Sequence, residues 1–389
     1  MTAHRQPSTV HRGAPSSSAR SALIIGITGQ DGSYLAEHLL AGGYTVHGLV
    51  RRASMFNRSR IDHLRAAPSS QPAAHSSKPE AQGSRLTLHY GDLNDRTSLR
   101  RLLKTIAPSE VYLLAGQSHV GLSFEIPEVT CEENAMATLG LLEALRDLEN
   151  PVRFYHASSS EIFGLPADSP QNEATPFNPV NPYGCAKAFA TQLCRVYRSA
   201  YGMFVCSGIS YNHESPRRGE NFVTRKITLG AARIKAGRQA VFALGNLDAR
   251  RDWGYAPEYV AAMARMLQAR QPGDYVLATG KTCSVRDFAT AAFAELGLEL
   301  KFKGKGAGET GVRTDTGAVV ITIDPRFHRP ADAANLTGDA SLAKKALGWA
   351  PKVTGTDVAR LMARVDREAI AGLKPETCFK HRDRRVRRD

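Results

Sequence analysis

Three glycines at fixed spacing, Gly26, Gly29 and Gly32, constrain this chain more than any other feature. They separate the apolar run ALIIG from SYLAEHLLAGG, whose apolar residues recur at helical intervals. A strand that runs into a helix through GxxGxxG turns tightly and brings its backbone close to whatever lies beyond the strand end. The free N–H groups and positive dipole end of such a helix attract an anion, and a dinucleotide pyrophosphate is the usual one. Gln30 and Asp31 sit inside the turn. The alternation continues through YTVHGLV, LTLHYGDL, RTSLRRLLKTI and EVYLLAG. It continues further with the strand VRFYHASSS and the long helix PYGCAKAFATQLCRVYRSAYG. Repeated strand–helix units predict an α/β chain with a doubly wound parallel sheet.

The second strand ends in Val50-Arg51-Arg52. An acid at that point would bind a ribose 2′-hydroxyl, whereas paired guanidinium groups suit a 2′-phosphate. Arg51 and Arg52 therefore favour NADP over NAD, and Asp92-Leu93, after a later strand, fits the adenine end.

Tyr183 and Lys187 stand four residues apart at the start of a helix that Asn181-Pro182 caps, so they share a face. Lysine and a bound nicotinamide cation would both favour tyrosinate, which makes Tyr183 a candidate base for a hydroxyl proton. A YxxxK pair also recurs by chance. Its weight comes from lying after a glycine-rich unit and just downstream of Ser158-Ser159-Ser160-Glu161. Serines at the end of a parallel strand reach the crevice where such sheets bind ligands. A carboxylate there separates a dehydratase from a plain dehydrogenase: once C4 of a sugar is a ketone, Glu161 can take the C5 proton and help expel the C6 hydroxyl.

The chain has 389 residues, 42% of them hydrophobic, enough to bury a core without disulfides or metals. Its six cysteines form no CxxC pair, as expected of reduced thiols in the cytoplasm, and no metal site is expected. No apolar run approaches the ~20 residues that cross a bilayer. The formal charge of +14 is half accounted for by the two ends. Arg5, Arg12 and Arg20 have no acid beside them, and 374–389 is a basic tail. No basic stripe interleaves with aromatics, so nucleic acid is not an expected partner. Residues 1–20 read as a disordered tail, 21–210 as the dinucleotide-binding domain, and 66–84 as a surface-loop insertion. From 211 to 373 the units become less regular, which suggests a smaller substrate-binding region interwoven with the first.

Taken in order, GITGQDGSYLAEHLL, VRRASMFNRSRIDHL, LHYGDLND, GQSHVGLSFEIPE, NHESPRRGENFVTRKIT, RRDWGYAPEYV and WAPKVT resemble the GDP-mannose 4,6-dehydratase family from about Ala22 to Trp349. This family is part of the extended short-chain dehydrogenase/reductases, so the resemblance implies a Rossmann-type sheet and a lyase that regenerates its NADP in each turnover. It assigns Ser159 to the catalytic hydroxyl at the sugar 4-position, Glu161 to the acid/base, Tyr183 to the base and Lys187 to its partner. For the cofactor it implies Gly26, Gly29, Gln30, Asp31, Gly32, Arg52 and Ser54, together with Asp92, Leu93, Leu114, Gln117, Ser118, His213 and Arg218. For a GDP-sugar it implies Ser118, Asn212, Val223, Lys226, Asn246, Arg251 and Arg329. Arg51 to Arg60 resembles a loop that reaches a neighbouring subunit, implying a homo-oligomer, a tetramer.

The chain departs from the family pattern at several points. Ser159 replaces Thr, Phe163 replaces the Tyr of SELYG, Val129 and Leu113 replace Tyr and Asn, Asp332 replaces Glu, and the 66–84 loop is longer. These bear on substrate more than on mechanism. The same reaction on a GDP-manno-heptose is the nearest alternative, since one methyl(ene) discriminates by only ~1–3 kcal/mol. A GDP-sugar reductase or epimerase, which would not need Glu161, and a non-catalytic NADP-binding sensor are the others.

Overall fold

The computed structural model describes residues 20–52, 57–64, 85–327 and 336–372. Its first half alternates strand and helix: β1 (Ser21–Ile25), α1 (Gln30–Ala41), β2 (Thr45–Val50), β3 (Leu86–Tyr90), α2 (Arg96–Ile106) and β4 (Glu110–Leu113). It continues with α3 (Pro127–Cys131), α4 (Ala137–Arg146), β5 (Arg153–Ser159), α5 (Pro182–Tyr201) and β6 (Val205–Ser210). Local chemistry fixes these boundaries. Asp95 accepts from the Ser98 N–H at 3.0 Å to start α2, whose buried stripe is only Leu99 and Leu103. Pro182 occupies the first turn of α5, and Gly202, at φ +63°, ends it.

The remainder contains β7 (Asn212–Glu214), α6 (Val223–Lys235), β8 (Phe242–Leu244), β9 (Arg250–Tyr255), α7 (Ala256–Gln268), β10 (Asp274–Leu277) and β11 (Thr282–Ser284). It closes with α8 (Val285–Glu295), β12 (Leu300–Lys303), β13 (Thr310–Arg313), β14 (Val319–Ile323), α9 (Ser341–Leu347) and α10 (Gly355–Ile370). The irregularity read in this part of the sequence comes from its short strands. Its helices are full-length, and α8 begins with a reciprocal Ser284–Asp287 capping box.

The main sheet has seven strands in the order β10-β6-β5-β4-β1-β2-β3, all parallel. This is the expected doubly wound Rossmann-type fold, and its strands are buried between layers of helices. One layer packs Leu99, Leu103, Leu141 and Leu145 onto the sheet, and the other packs Tyr34, Leu35, Met263 and Leu267 onto it. A separate core, around Trp253, Phe288, Phe293 and Met362, joins α6, α8 and α10. Beside it lie a three-stranded sheet, β11-β9-β7, and a four-stranded one, β12-β13-β14-β8. The strand order reverses between β1 and β4, and ligands bind open α/β sheets in the crevice at that point.

Candidate active site

The turn after β1 enters this crevice as bare backbone. Gly26 has φ +101°, and a Cβ on it would lie 2.7 Å from the Ala115 nitrogen, just past β4. A Cβ on Gly32 would lie 2.2 Å from the Gly26 carbonyl oxygen. Neither position admits a side chain, so the N-terminus of α1 meets the crevice through its N–H groups. A cleft of about 1310 Å³ runs from here across the ends of β4, β5 and β6 to the second core. The end beside this turn is lined by Gly29, Gln30, Asp31, Leu49, Arg51, Asp92, Leu93, Leu114 and Ser118. The exposed Arg51 guanidinium lies 3.7 Å from Glu133, in a π-helical turn at Glu132–Met136.

Ser159 ends β5, and its hydroxyl accepts from the Glu161 N–H at 3.3 Å, fixing the short turn that carries the carboxylate. Tyr183 lines the same cleft as Ser159 and Glu161, and Ser159 is a polar neighbour of its hydroxyl. The Lys187 ammonium donates to the Ala157 carbonyl at 2.9 Å and lies 5.7 Å from the centre of the Tyr183 ring. All four side chains are at least nine-tenths buried. Burial pushes Tyr183 up to about 12, with Ser159 offsetting only part of that, and pulls Lys187 down to about 8. The Lys187 ammonium is held at a backbone carbonyl, and burial is the dominant influence on Tyr183.

His213 bridges the two ends of the cleft. Its Nδ1 is 2.8 Å from the Tyr211 carbonyl and its Nε2 2.8 Å from Asp31. Both neighbours are acceptors, so the ring carries two protons and forms an ion pair with Asp31. Burial opposes that charge, but Asp31 outweighs it and His213 titrates above its ordinary range. Burial likewise opposes the Asp31 charge, and His213 overcomes it, holding the carboxylate low. Gln30 adds a bond from its amide to the His213 carbonyl, 3.0 Å.

The far end presents cations on aromatic faces. The Lys226 ammonium lies 3.5 Å from the Phe327 ring centre, and the Arg218 guanidinium 3.7 Å from that of Phe222. Arg218 also pairs with Glu214 at 3.2 Å. Asn212, Val223, Asn246 and Arg251 complete this wall. The cleft thus gathers most of the residues singled out by sequence. Arg52 and Gln117 do not line it; Gln117 donates to the Thr130 hydroxyl at 3.0 Å. Ser54, Arg329, the 66–84 insertion and the 374–389 tail lie outside the described residues, as does all of the 1–20 tail but Arg20. Glu133, Phe222 and Phe327 also line the cleft, yet the sequence reading did not select them. A π-helical turn and two lone aromatics leave no spacing signal. Among the described residues no cluster of His, Cys, Asp and Glu could hold a metal, and no helix is long and apolar enough to cross a membrane.

A glycine cradle at the switch point of a doubly wound sheet, with a serine, tyrosine and lysine at the ends of β5 and α5, defines the class: a Rossmann-fold protein of the short-chain dehydrogenase/reductase type. Solved structures agree on the fold. A dTDP-glucose 4,6-dehydratase from Streptomyces venezuelae, DesIV, with NAD and TYD bound, superposes with a TM-score of 0.71 at 23% identity, covering 91% of this chain and 99% of its own. RMD from Pseudomonas aeruginosa complexed with NADPH gives 0.66 at 23% identity, covering 90% and 100%. The chain belongs to the GDP-mannose 4,6 dehydratase family, whose family model matches residues 23–362. It is 51% identical to a GDP-mannose 4,6 dehydratase of Drosophila melanogaster over 90% of this chain and 86% of the relative. It is 50% identical to a GDP-mannose 4,6-dehydratase of Sinorhizobium fredii (91% and 98% covered) and 47% identical to a GDP-mannose 4,6 dehydratase of Homo sapiens (90% and 92%).

Proposed function

We propose that this chain is a GDP-mannose 4,6-dehydratase that converts GDP-mannose to GDP-4-keto-6-deoxymannose. The observation that carries the reading is a buried carboxylate, Glu161, in one cleft with the buried Ser159 and Tyr183. The glycine cradle fits a nicotinamide dinucleotide, which when bound supplies a hydride acceptor and returns that hydride within the turnover. Gly26, Gly29 and Gly32 would admit its pyrophosphate, Gln30, Asp31 and His213 would fix the turn around it, and Asp92 and Leu93 would hold its adenine end. Arg51 and Arg52 favour NADP, and replacing both with serine should narrow the preference for NADP over NAD in a binding titration.

Ser159 and Tyr183 hold the sugar 4-hydroxyl, and Tyr183 takes its proton. Burial holds Tyr183 above its ordinary range, so it would need neighbouring positive charge to act as the base. Glu161 removes the C5 proton next to the new ketone and passes a proton to the departing C6 hydroxyl, which leaves as water. Lys226 and Arg251 are the cations for the GDP pyrophosphate, with Asn212, Val223 and Asn246 around them. The enzyme works as a homo-oligomer, a tetramer, in the cytoplasm. Support comes from apolar side chains exposed on α3 and α5 (Val129, Phe189 and Val196) and from the unpaired thiols of all five described cysteines.

The test is the purified protein with catalytic NADP and GDP-mannose in D2O, followed by NMR. A product with a C4 ketone, a C6 methyl and deuterium at C5 is expected. Turnover of a GDP-manno-heptose alone would move the substrate and keep the mechanism, and no turnover of either would overturn the reading.

A further inference from the structure

The residue that caps α5 also holds the Glu161 carboxylate. Asn181 is 3% exposed, and both ends of its amide are used. Its Oδ1 accepts from the Gly184 N–H at 2.8 Å, capping the helix that carries Tyr183 and Lys187. Its Nδ2 donates to Glu161 Oε2 at 2.8 Å. The orientation of the amide is forced, because an N–H faces one end and a carboxylate oxygen the other. The two segments also meet through backbone: a Cβ on Gly184 would lie 2.6 Å from the Glu161 carbonyl oxygen. One side chain therefore ties the turn bearing the carboxylate to the helix bearing the tyrosine.

We infer that Asn181 is a positioning residue for the elimination step: it sets the plane of the Glu161 carboxylate relative to Tyr183. This rests on the proposed dehydratase reading. A carboxylate on three rotatable bonds samples many directions, and one held oxygen fixes its plane and so the direction of the other. Oxidation at C4 needs Tyr183, whereas proton removal at C5 needs Glu161. A loss of aim at Glu161 should therefore slow the second step and spare the first.

Asn181→Ser and Asn181→Asp both keep an oxygen that caps a helix, and neither can donate from an amide to Glu161. Asp additionally sets a carboxylate against a carboxylate. In wild-type protein with NADP and GDP-mannose, water loss should follow oxidation without a pause. In both variants kcat should fall roughly 10- to 100-fold, the loss of a hydrogen bond to a charged group, with Asp the worse. KM should stay within about threefold, a change smaller than the loss of one such bond. The absorbance of reduced nicotinamide should build up in a single turnover, and deuterium should enter C5 slowly. A purely structural role would not produce that build-up. Asn181→Ala, which loses the cap as well, should also lower the thermal midpoint by ~2–4 °C.

Wild-type kcat in Asn181→Ser, or a loss without build-up of reduced nicotinamide, overturns this inference and leaves the dehydratase reading standing. A wild-type protein that converts no GDP-mannose in the same assay removes both.

Discussion

The two ends of the cleft are built from different materials. At the end beside the glycine turn the wall is backbone: Gly26 and Gly32 approach Ala115 and the Gly26 carbonyl so closely that no side chain fits. At the far end the wall is side chain: Lys226 on α6, Arg251 on β9, Asn246 in a loop and Phe327 after β14. A wall of backbone tolerates almost no change of sequence, whereas a wall of side chains can be altered one group at a time. The first end should therefore be brittle and the second graded.

Four experiments can break or sharpen that contrast. The largest effect is expected from Glu161→Gln, where the two ends meet. It should cut dehydration by 10²–10⁴ in kcat while cofactor binding persists, since the shape is kept and the base is lost. Unchanged turnover would instead fit a reductase or epimerase. Next is Gly32→Ala, whose added methyl meets fixed backbone. Overpacking of about 1–3 kcal/mol should appear as lost stability and weaker dinucleotide binding, measured by denaturation and titration. If Gly32→Ala binds the dinucleotide normally, that end is not brittle. Lys226→Ala should raise KM about tenfold with little change in kcat, because a charge-assisted contact made before and during reaction is lost.

The smallest effect concerns the pair that spans both ends. His213 titrates above its ordinary value, so its contribution to stability is full below about 6.5 and is lost as pH rises through the higher folded value. Asp31 titrates low, so its contribution is present above the ordinary carboxylate range and is lost as pH falls through the lowered value. Between these limits His213→Gln should lower the thermal midpoint by roughly 2–4 °C per kcal/mol. The difference from wild type should shrink as pH rises past the histidine range. A difference independent of pH would mean that packing on Tyr259, 4.6 Å away between ring centres, matters more than charge.

The contrast also explains what could be read from sequence. A backbone wall leaves glycine as the only solution, so its spacing is visible, and α2 and α5 carry caps that mark their starts. The far wall gathers Asn212, Lys226, Asn246 and Arg251 from separate segments. Each alone is an ordinary polar residue, and only resemblance to a family groups them. The stretch from α3 to α4 offered neither signal. Most of α4 is buried, leaving little of the polar stripe that marks a surface helix, and a π-helical turn interrupts its start. Asn181 was legible as a cap, but its second bond depends on where Glu161 sits in space.

The last strand to join the main sheet, β10, arrives only after β7, α6, β8, β9 and α7, and it pairs with β6 along Ser207–Ser210. A ribosome must therefore finish more than sixty residues beyond β6, much of the far wall among them, before the sheet is whole. The two cores cannot be exchanged as cassettes. A graft that swapped the second core for another would remove an edge of the seven-stranded sheet. Descendants of this chain with new sugars would have to arise by point changes within the wall, and engineers face the same restriction.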